Sequence, residues 1–335
     1  MMNCDNAEEE DVDVMVAVCV GILQRLSDAV SASPTLPGAN GMIVWLASWP
    51  RSGNTLLRTV LCQTMSLKSA SDEVDEKDIL GHIEVVRHNT GVGEIDGSWE
   101  DYYQNATQSG EVFLVKTHRL PRDNQPAIYV VRDGRKASLS YSYFHRRYTP
   151  TPHPSLLDLV LGGDHYGGWS DHCRIWVTRP NTLLVRYEDL VDAKRELLEK
   201  LAVAVRYGGE IAPWHNPFDQ LHQEVPDFFR QGETAWQGDP AWTSMINGVF
   251  FHLHGDLMVE LGYASPETVA AATRAIPDEW FELVEVSRRL MAAKKALEAI
   301  CDERQAVIDG LKSACDERLA LIEKLSKRRK TIWGP

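Results

Sequence analysis

Residues 43–60 (IVWLASWPRSGNTLLRTV) constrain the fold more than any other stretch of the chain. The apolar, β-branched residues 43–46 predict a buried strand, and apolar residues recur at helical spacing from Leu56 onward. The turn PRSGNT at residues 50–55 joins the two. Such a strand, turn and helix start direct backbone N–H groups and the positive end of the helix dipole at one point. Gly53 permits close backbone approach and Arg51 adds a charged donor fork, so the stretch predicts an anion site. The alternative is an ordinary strand-turn-helix with one surface arginine.

The composition limits the classes of function. The 335 residues carry a formal net charge of −13, which disfavours a nucleic-acid-binding protein because phosphate backbones require basic surface. The six cysteines are scattered without a CxxC pair, which is typical of a reduced, cytoplasmic protein. The apolar run at residues 14–23 is too short for a membrane span and lacks the basic flank of a secretory signal, so we expect neither.

Apolar strands alternate with helical segments through the middle of the chain. Residues 111–115, 127–131 and 181–186 read as strands, and residues 137–145 and 193–205 as helices. This alternation predicts an α/β fold with a mostly parallel central sheet flanked by helices. Polar motifs follow each strand, where sites in such sheets lie. Residues 69–80 are acidic and polar, and are expected to form helices and loops over the site rather than core.

The last part of the chain has a different pattern. CDERQAVIDGL at residues 301–311 recurs as CDERLALIEKL at residues 315–325, a shift of two heptads. The apolar stripe of this region, interrupted by Arg304 and Arg318, predicts a long helix that self-associates, as in a coiled coil, or folds back on the domain. Three regions result: an acidic leader and helix at 1–40, the main domain at 41–265 and a helical extension at 266–335.

Six segments resemble, in order, the motifs of the sulfotransferases that use 3′-phosphoadenosine-5′-phosphosulfate (PAPS). PRSGNT resembles their 5′-phosphosulfate loop, whereas the residue after Gly53 is Asn54 and not the lysine of a Walker A loop. The other segments, spanning the chain to about residue 263, are VKTHRLP (115–121), IYVVRDGRKASLSYSYFH (128–145), LLVRYEDL (184–190), HNPFDQL (215–221) and FFRQG (228–232). The resemblance implies the P-loop-like sulfotransferase fold.

The resemblance also implies roles for individual residues. His118 is the expected general base, with Lys116 and Arg51 stabilising charge during transfer. The cofactor PAPS, or its product PAP, is expected to contact Arg51, Ser52, Gly53, Asn54, Thr55, Leu56, Arg132, Ser140, Tyr187, Asn216, Phe218, Arg230, Gln231 and Gly232, and no metal is expected. Three positions depart from the family's common pattern: Leu56 stands where many members have a tryptophan, Gln231 where they have a lysine, and Arg51 where a lysine is frequent.

The implied reaction moves a sulfuryl group from PAPS to a hydroxyl or amine of a small-molecule acceptor. Two alternatives stay open: a catalytically silent nucleotide-binding protein that acts through its helical tail, and a P-loop kinase. We expect no nucleic-acid or membrane partner, and homo-oligomerisation through the C-terminal helix. The acidity of the chain favours a neutral or cationic acceptor over an anionic polysaccharide.

Overall fold

The computed structural model of the protein describes residues 41–73, 84–93, 95, 97–226, 229 and 236–333. These residues form a five-stranded sheet whose strands all pair in parallel, in the order β2-β3-β1-β4-β5. The strands are β1 (Met42–Ser48), β2 (Ser69–Ser71), β3 (Val112–Thr117), β4 (Ala127–Val131) and β5 (Thr182–Arg186). The predicted α/β class with a mostly parallel sheet flanked by helices is therefore confirmed.

The helices precede, connect and follow these strands. In chain order they are α1 (Asn54–Met65), α2 (Glu84–Thr90), α3 (Trp99–Gln108), α4 (Gly134–Tyr148), α5 (Leu156–Leu161), α6 (Trp169–Val177), α7 (Tyr187–Asp192), α8 (Arg195–Ala204), α9 (Phe218–Glu224), α10 (Ser244–Glu260), α11 (Pro266–Thr273) and α12 (Asp278–Trp333). None of these described helices combines the length and the apolar character that crossing a bilayer requires.

Strand β1 forms the centre of the core because all seven of its residues are buried. It pairs with β3 on one side and β4 on the other, which explains its continuous apolar sequence: both of its faces are covered. Leu57, Val60 and Leu61 of α1 are likewise at most 1% exposed and join the same cluster. Each such side chain contributes about 1.5–3 kcal/mol when removed from water.

The strand order brings three polar segments to one edge of the sheet. The chain passes from β1 to the edge strand β2, returns to β3 beside β1, and then crosses to β4 on the other side. The carboxyl end of β1 thus lies between those of β3 and β4, at the point where the strand order reverses. Open parallel sheets bind ligands at this position.

One local expectation was wrong. Residues Ser69–Ser71, expected outside the core, form β2, because their backbone pairs with β3 while Ser69 and Ala70 are buried. The helix expected at 193–205 is present as α8, and the short helix α7 that precedes it, beginning at Tyr187, was not predicted.

The chain divides into two compact units, Met1–Phe281 and Glu282–Pro335. Residues 1–40 lie outside the described part, so the predicted acidic leader and helix stay a prediction, as do the predicted boundaries at 40 and 265. The predicted long C-terminal helix is present as α12, which runs over 56 residues.

Candidate active site

One cavity of about 1150 Å³ opens at the carboxyl edge of the sheet. Most of the described residues predicted for the site line it: Arg51, Gly53, Asn54, Thr55, Leu56, Lys116, His118, Arg132, Ser140, Tyr187, Asn216 and Phe218. Ser52 is not on the cavity wall. Arg230, Gln231 and Gly232 lie outside the described residues, so their predicted contacts with the cofactor stay predictions.

The loop after β1 has the backbone of an anion-binding turn. Arg51 and Gly53 both have left-handed conformations, with φ angles of 62° and 115°. A β-carbon added to Gly53 would lie 2.6 Å from Cδ2 of Tyr187, so glycine is required by contact as well as by conformation. The first residues of α1, Asn54, Thr55 and Leu56, line the cavity, so the positive end of the helix lies at its wall. No side chain caps α1 and no acidic residue lies in its first turn, so this partial charge is not compensated within the helix.

Side chains from three elements converge beside this loop. Arg51 Nε donates to Oγ of Ser140 on α4 at 3.3 Å, and Arg132, which follows β4, donates to the carbonyl of Arg51 at 3.3 Å. The Arg132 guanidinium also lies 4.3 Å from the centre of the Tyr187 ring. The two positive charges and the hydroxyl therefore come together in space although 89 residues separate Arg51 from Ser140.

The imidazole of His118 has a defined orientation. Its Nδ1–H donates to the Ser48 carbonyl at 2.8 Å, which leaves the acceptor lone pair of the neutral ring on Nε2. The backbone is fixed independently: the His118 N–H donates to Glu73 at 3.0 Å, and Nε2 of the buried His172 donates to the His118 carbonyl at 2.8 Å. A ring whose Nδ1 donates a hydrogen bond and whose Nε2 carries the lone pair can act as a general base.

Lys116 and Glu73 form a buried ion pair on the cavity wall. The Lys116 side chain is 2% exposed and that of Glu73 is 10% exposed. Tyr166 donates a further hydrogen bond to the same carboxylate at 2.9 Å. Burial alone would raise the pKa of Glu73, but His118, Lys116 and Tyr166 outweigh it and lower this pKa to about 2. Glu73 is therefore ionised throughout the working pH range and holds Lys116 beside His118.

The neighbouring carboxyl group has the opposite shift. Asp72 accepts a hydrogen bond from Thr117 Oγ1 at 2.8 Å, but burial raises its pKa from 3.8 to about 6. Two adjacent carboxyl groups thus titrate in different ranges because only Glu73 has cationic partners close enough to compensate for its burial.

The shift of Asp72 gives a testable pH dependence of stability. Between its unfolded pKa near 3.8 and its folded pKa near 6, the folded chain retains a proton that the unfolded chain releases. The wild type should therefore lose stability relative to Asp72→Asn as pH rises through this window, by about 3 kcal/mol in all. Denaturant unfolding of both chains at several pH values measures the difference. A difference that is the same at every pH would contradict the assignment.

The far side of the cavity is formed by aromatic and amide groups. Tyr187 at the start of α7 faces Arg132, and Phe218 at the start of α9 stacks on His222 with ring centres 5.9 Å apart. Asn216 Nδ2 donates to the Val191 carbonyl at 3.2 Å, which ties this segment to α7. These groups provide a flat, apolar surface of the kind that binds a nucleobase.

Four contributors were missed by sequence reasoning: Ser48, Glu73, Tyr166 and His172. Ser48 and His172 act on His118 through contacts between residues distant in the chain, which leave no local pattern. Glu73 follows a strand that has no apolar run. Tyr166 lies in the short segment YGGW, and that segment was the only signal that could have indicated it.

The residues at the anion end fit a phosphate-bearing nucleotide. Ser52 is 1% exposed, and its hydroxyl has no hydrogen-bond partner among the described residues. On the cavity wall, the Arg51 and Arg132 guanidiniums and the N-terminus of α1 suit an anionic oxygen acceptor. In the described part of the chain, no group of three His, Cys, Asp or Glu side chains has the geometry to hold a metal ion.

Comparison with known proteins gives one family. The sequence family described as "Sulfotransferase domain" matches residues 43–203, which include β1 to β5 and the segments that follow them. A 3-alpha-hydroxysteroid sulfotransferase from Cavia porcellus is 32% identical over 82 residues, covering 22% of this chain and 29% of the relative. Sulfotransferase 1E1 from Mus musculus is 29% identical over 103 residues, covering 26% of this chain and 35% of the relative. The chain thus spans about a third of the length of the curated relatives it matches.

The solved structures that match this structure include two whose descriptions name bound PAP. Mouse sulfotransferase SULT7A1, complexed with PAP, has a TM-score of 0.43 at 17% identity and covers 68% of this chain and 88% of its own. Retinol dehydratase, in complex with androsterone and inactive cofactor PAP, has a TM-score of 0.39 at 17% identity, covering 75% and 83%. Residues 43–203 of this chain are thus similar to the sulfotransferase domain family.

Proposed function

We propose that the chain is a PAPS-dependent sulfotransferase that transfers a sulfuryl group to a hydroxyl or amine of a small-molecule acceptor. The observation that carries this proposal is the common cavity of His118, Lys116, Arg51, Arg132 and Ser140. It combines a base, a cation beside the base and a phosphate-binding group within one enclosed space. When bound, PAPS supplies the sulfuryl group and leaves as PAP.

In this proposal the nucleotide end of the cavity binds and orients. Arg132 and Ser140 hold the 3′-phosphate, because a guanidinium fork and a hydroxyl donate to a dianion with good geometry. Arg51 and the N–H groups at the start of α1 stabilise the negative charge that grows on the departing 5′-phosphate oxygen. Tyr187, Leu56, Asn216 and Phe218 contact the adenosine.

His118 is the proposed base for the acceptor. Its Nε2 takes the proton of the acceptor's hydroxyl or amine while the acceptor oxygen or nitrogen attacks sulfur. The Ser48 carbonyl, which accepts from Nδ1, maintains the required tautomer and stabilises the imidazolium that forms. The reaction needs mainly positioning and charge stabilisation, as in phosphoryl transfer, and none of these residue roles calls for a metal.

Lys116 is the proposed partner of the sulfuryl oxygens, and Glu73 is its positioning residue. The carboxylate aligns the ammonium group and accepts a hydrogen bond from the backbone N–H of His118. Glu73 does not contact the reacting atoms in this proposal. It acts through Lys116 and His118.

The variant Glu73→Gln tests this positioning role. It keeps the shape of the side chain and removes the charge, so kcat is expected to fall by about 10- to 100-fold, the equivalent of one charged hydrogen bond. PAP affinity should change by less than about twofold, since Glu73 is not assigned a phosphate contact. Tyr166→Phe is the matched control because it removes one donor to the carboxylate and keeps its charge, and a smaller loss is expected. A Glu73→Gln enzyme with wild-type kcat would refute the role.

The reaction itself is tested by incubating the full chain with PAPS and a panel of alcohols, phenols and amines, and measuring PAP release together with the sulfated product. Acceptor-dependent formation of both is expected. PAP binding without product for any acceptor would favour the silent nucleotide-binding alternative. Magnesium-dependent binding of ATP, measured by calorimetry, would favour the P-loop kinase.

The acceptor is proposed to be neutral or cationic. Besides Glu73, the cavity wall includes the carboxylate of Asp164 and the aromatic rings of Tyr141, Phe144 and Tyr148. Such a lining favours small molecules with apolar surface over polyanions. We further propose a cytoplasmic location, no nucleic-acid or membrane partner, and homo-oligomers formed through the C-terminal helix.

A further inference from the structure

The second unit of the chain carries a long exposed apolar stripe. Nine large apolar side chains lie along α12 at spacings of three, four, seven or ten residues, and each is 44–66% exposed. They are Leu283, Val286, Leu290, Leu297, Ile300, Val307, Leu311, Leu321 and Leu325. Contiguous apolar surface of this length is typical of a protein-binding face.

The stripe keeps one heptad register from residue 283 to residue 325, although two of its core positions are arginines. One core position, a, falls at residues 283, 290, 297, 304, 311, 318 and 325, and it is leucine everywhere except at Arg304 and Arg318. The other, d, falls at residues 286, 293, 300, 307, 314 and 321 and holds Val, Ala, Ile, Val, Ala and Leu. We call these thirteen positions the heptad seam. A strict seven-residue period over this length is the signature of a left-handed supercoil.

The two arginines of the seam indicate which surface covers it. A glutamate directly precedes each one: Glu303 before Arg304 and Glu317 before Arg318. The position directly before a is called g. Adjacent residues on one helix do not face each other, so neither glutamate can pair with the arginine that follows it in its own chain. Among the described residues of α12, neither arginine forms an ion pair with a neighbour along the helix. In a parallel pair of helices in register, by contrast, the a side chain of one chain lies beside the preceding g side chain of the other.

We propose that residues 283–325 form a parallel, in-register, two-stranded coiled coil with a second copy of this chain. Arg304 of each copy then pairs with Glu303 of the other, and Arg318 with Glu317. The surface is self-complementary in both apolar pattern and charge, which identifies a second copy as the occupant. Charged core residues weaken a coiled coil but specify its register and number of strands. This inference does not depend on the proposed reaction, because association is measured without nucleotide or acceptor.

The first test measures the mass of the full chain in solution by sedimentation. We expect a dimer for the wild type and a monomer for the double variant Leu297→Glu, Leu311→Glu. The control is Leu319→Glu, whose leucine is 59% exposed but lies off the seam, and it should stay a dimer. Glutamate is a good helix former, so circular dichroism should show equal helix content in all three. A monomeric or trimeric wild type, or equal effects of the seam and control variants, would overturn the proposal.

The second test distinguishes the parallel arrangement from an antiparallel one. Ala314, a d position, is replaced by cysteine in a chain that also carries Cys301→Ser and Cys315→Ser. Mild oxidation should link two copies through position 314, because d side chains of a parallel, in-register pair face each other. Leu319→Cys in the same background is the control and should cross-link far less. Absence of the link at position 314 in a chain that still dimerises would refute the parallel arrangement.

The third test concerns the charge pairs. Arg304→Glu with Arg318→Glu places glutamates beside glutamates of the other copy, so the dimer dissociation constant should rise by at least about tenfold. Adding Glu303→Arg and Glu317→Arg exchanges the charges and should recover most of the loss. If the fourfold variant is as weak as the double variant, the proposed pairs do not form.

Discussion

Replacing His118 with alanine is expected to lower kcat by about 10²- to 10⁴-fold, the usual contribution of a general base. The ring alone contacts the proposed acceptor, whereas the backbone at this position is held by Glu73 and His172. The end of β3 should therefore keep its place in the variant, and PAP affinity should change by less than about twofold. Calorimetric titration with PAP and a transfer assay on the same preparation separate the two quantities.

Two further variants sharpen this test. His118→Asn can still donate to the Ser48 carbonyl but cannot accept a proton as a base, so it should be as inactive as His118→Ala. His215→Ala, which removes an exposed histidine that does not line the cavity, should retain wild-type kcat. Turnover of His118→Ala close to that of the wild type would remove His118 from the role of base.

Replacing Arg132 with alanine is expected to weaken PAP binding by about 100-fold. This is the effect of losing two charged hydrogen bonds of about 1.5 kcal/mol each, or one bidentate pair between the guanidinium and the phosphate. The same variant should weaken binding of adenosine 5′-phosphate, which lacks the 3′-phosphate, by only a few-fold. The ratio of the two affinities isolates the 3′-phosphate contact from any general loosening of the site.

The control for Arg132 is Arg122→Ala. Both guanidiniums lie over a tyrosine ring, that of Arg132 at 4.3 Å from Tyr187 and that of Arg122 at 4.0 Å from Tyr103, but Arg122 is not part of the cavity wall. Arg122→Ala should bind both nucleotides as the wild type does. Equal losses for the two nucleotides in Arg132→Ala would show that Arg132 positions Tyr187 and does not bind the 3′-phosphate.

The sheet was largely predictable because its main strands are continuous apolar runs. Residues 127–131 coincide with β4, since a strand covered on both faces has no polar positions, and residues 181–186 differ from the edge strand β5 by one residue. The short edge strand β2 was not predicted because Ser-Ala-Ser has no strand signal of its own. Its conformation comes from pairing with β3, which is a property of the tertiary structure.

The candidate site was predictable where a motif carries its own chemistry and unpredictable where it depends on contacts across the fold. PRSGNT and VKTHRLP indicated Arg51, Lys116 and His118 through their resemblance to the motifs of the sulfotransferases. The ion pair of Lys116 with Glu73 could not be read from the sequence, because 43 residues separate the two and no pattern links them. The contact of Ser48 with His118 was hidden for the same reason.

The hydrogen bond from Nδ1 of His118 to the Ser48 carbonyl lies directly after the last paired residues of β1 and β3. The pairing of β1 with β3 ends at Ala47 and Thr117, and the next residues are Ser48, the last residue of β1, and His118, which follows β3. A slip of either strand by one residue, about 3.3 Å, would carry the imidazole past the carbonyl that orients it. The orientation of the His118 ring therefore depends on the packing that fixes the register of β1 and β3. Substitutions of buried residues in these strands should lower turnover even where the domain still folds.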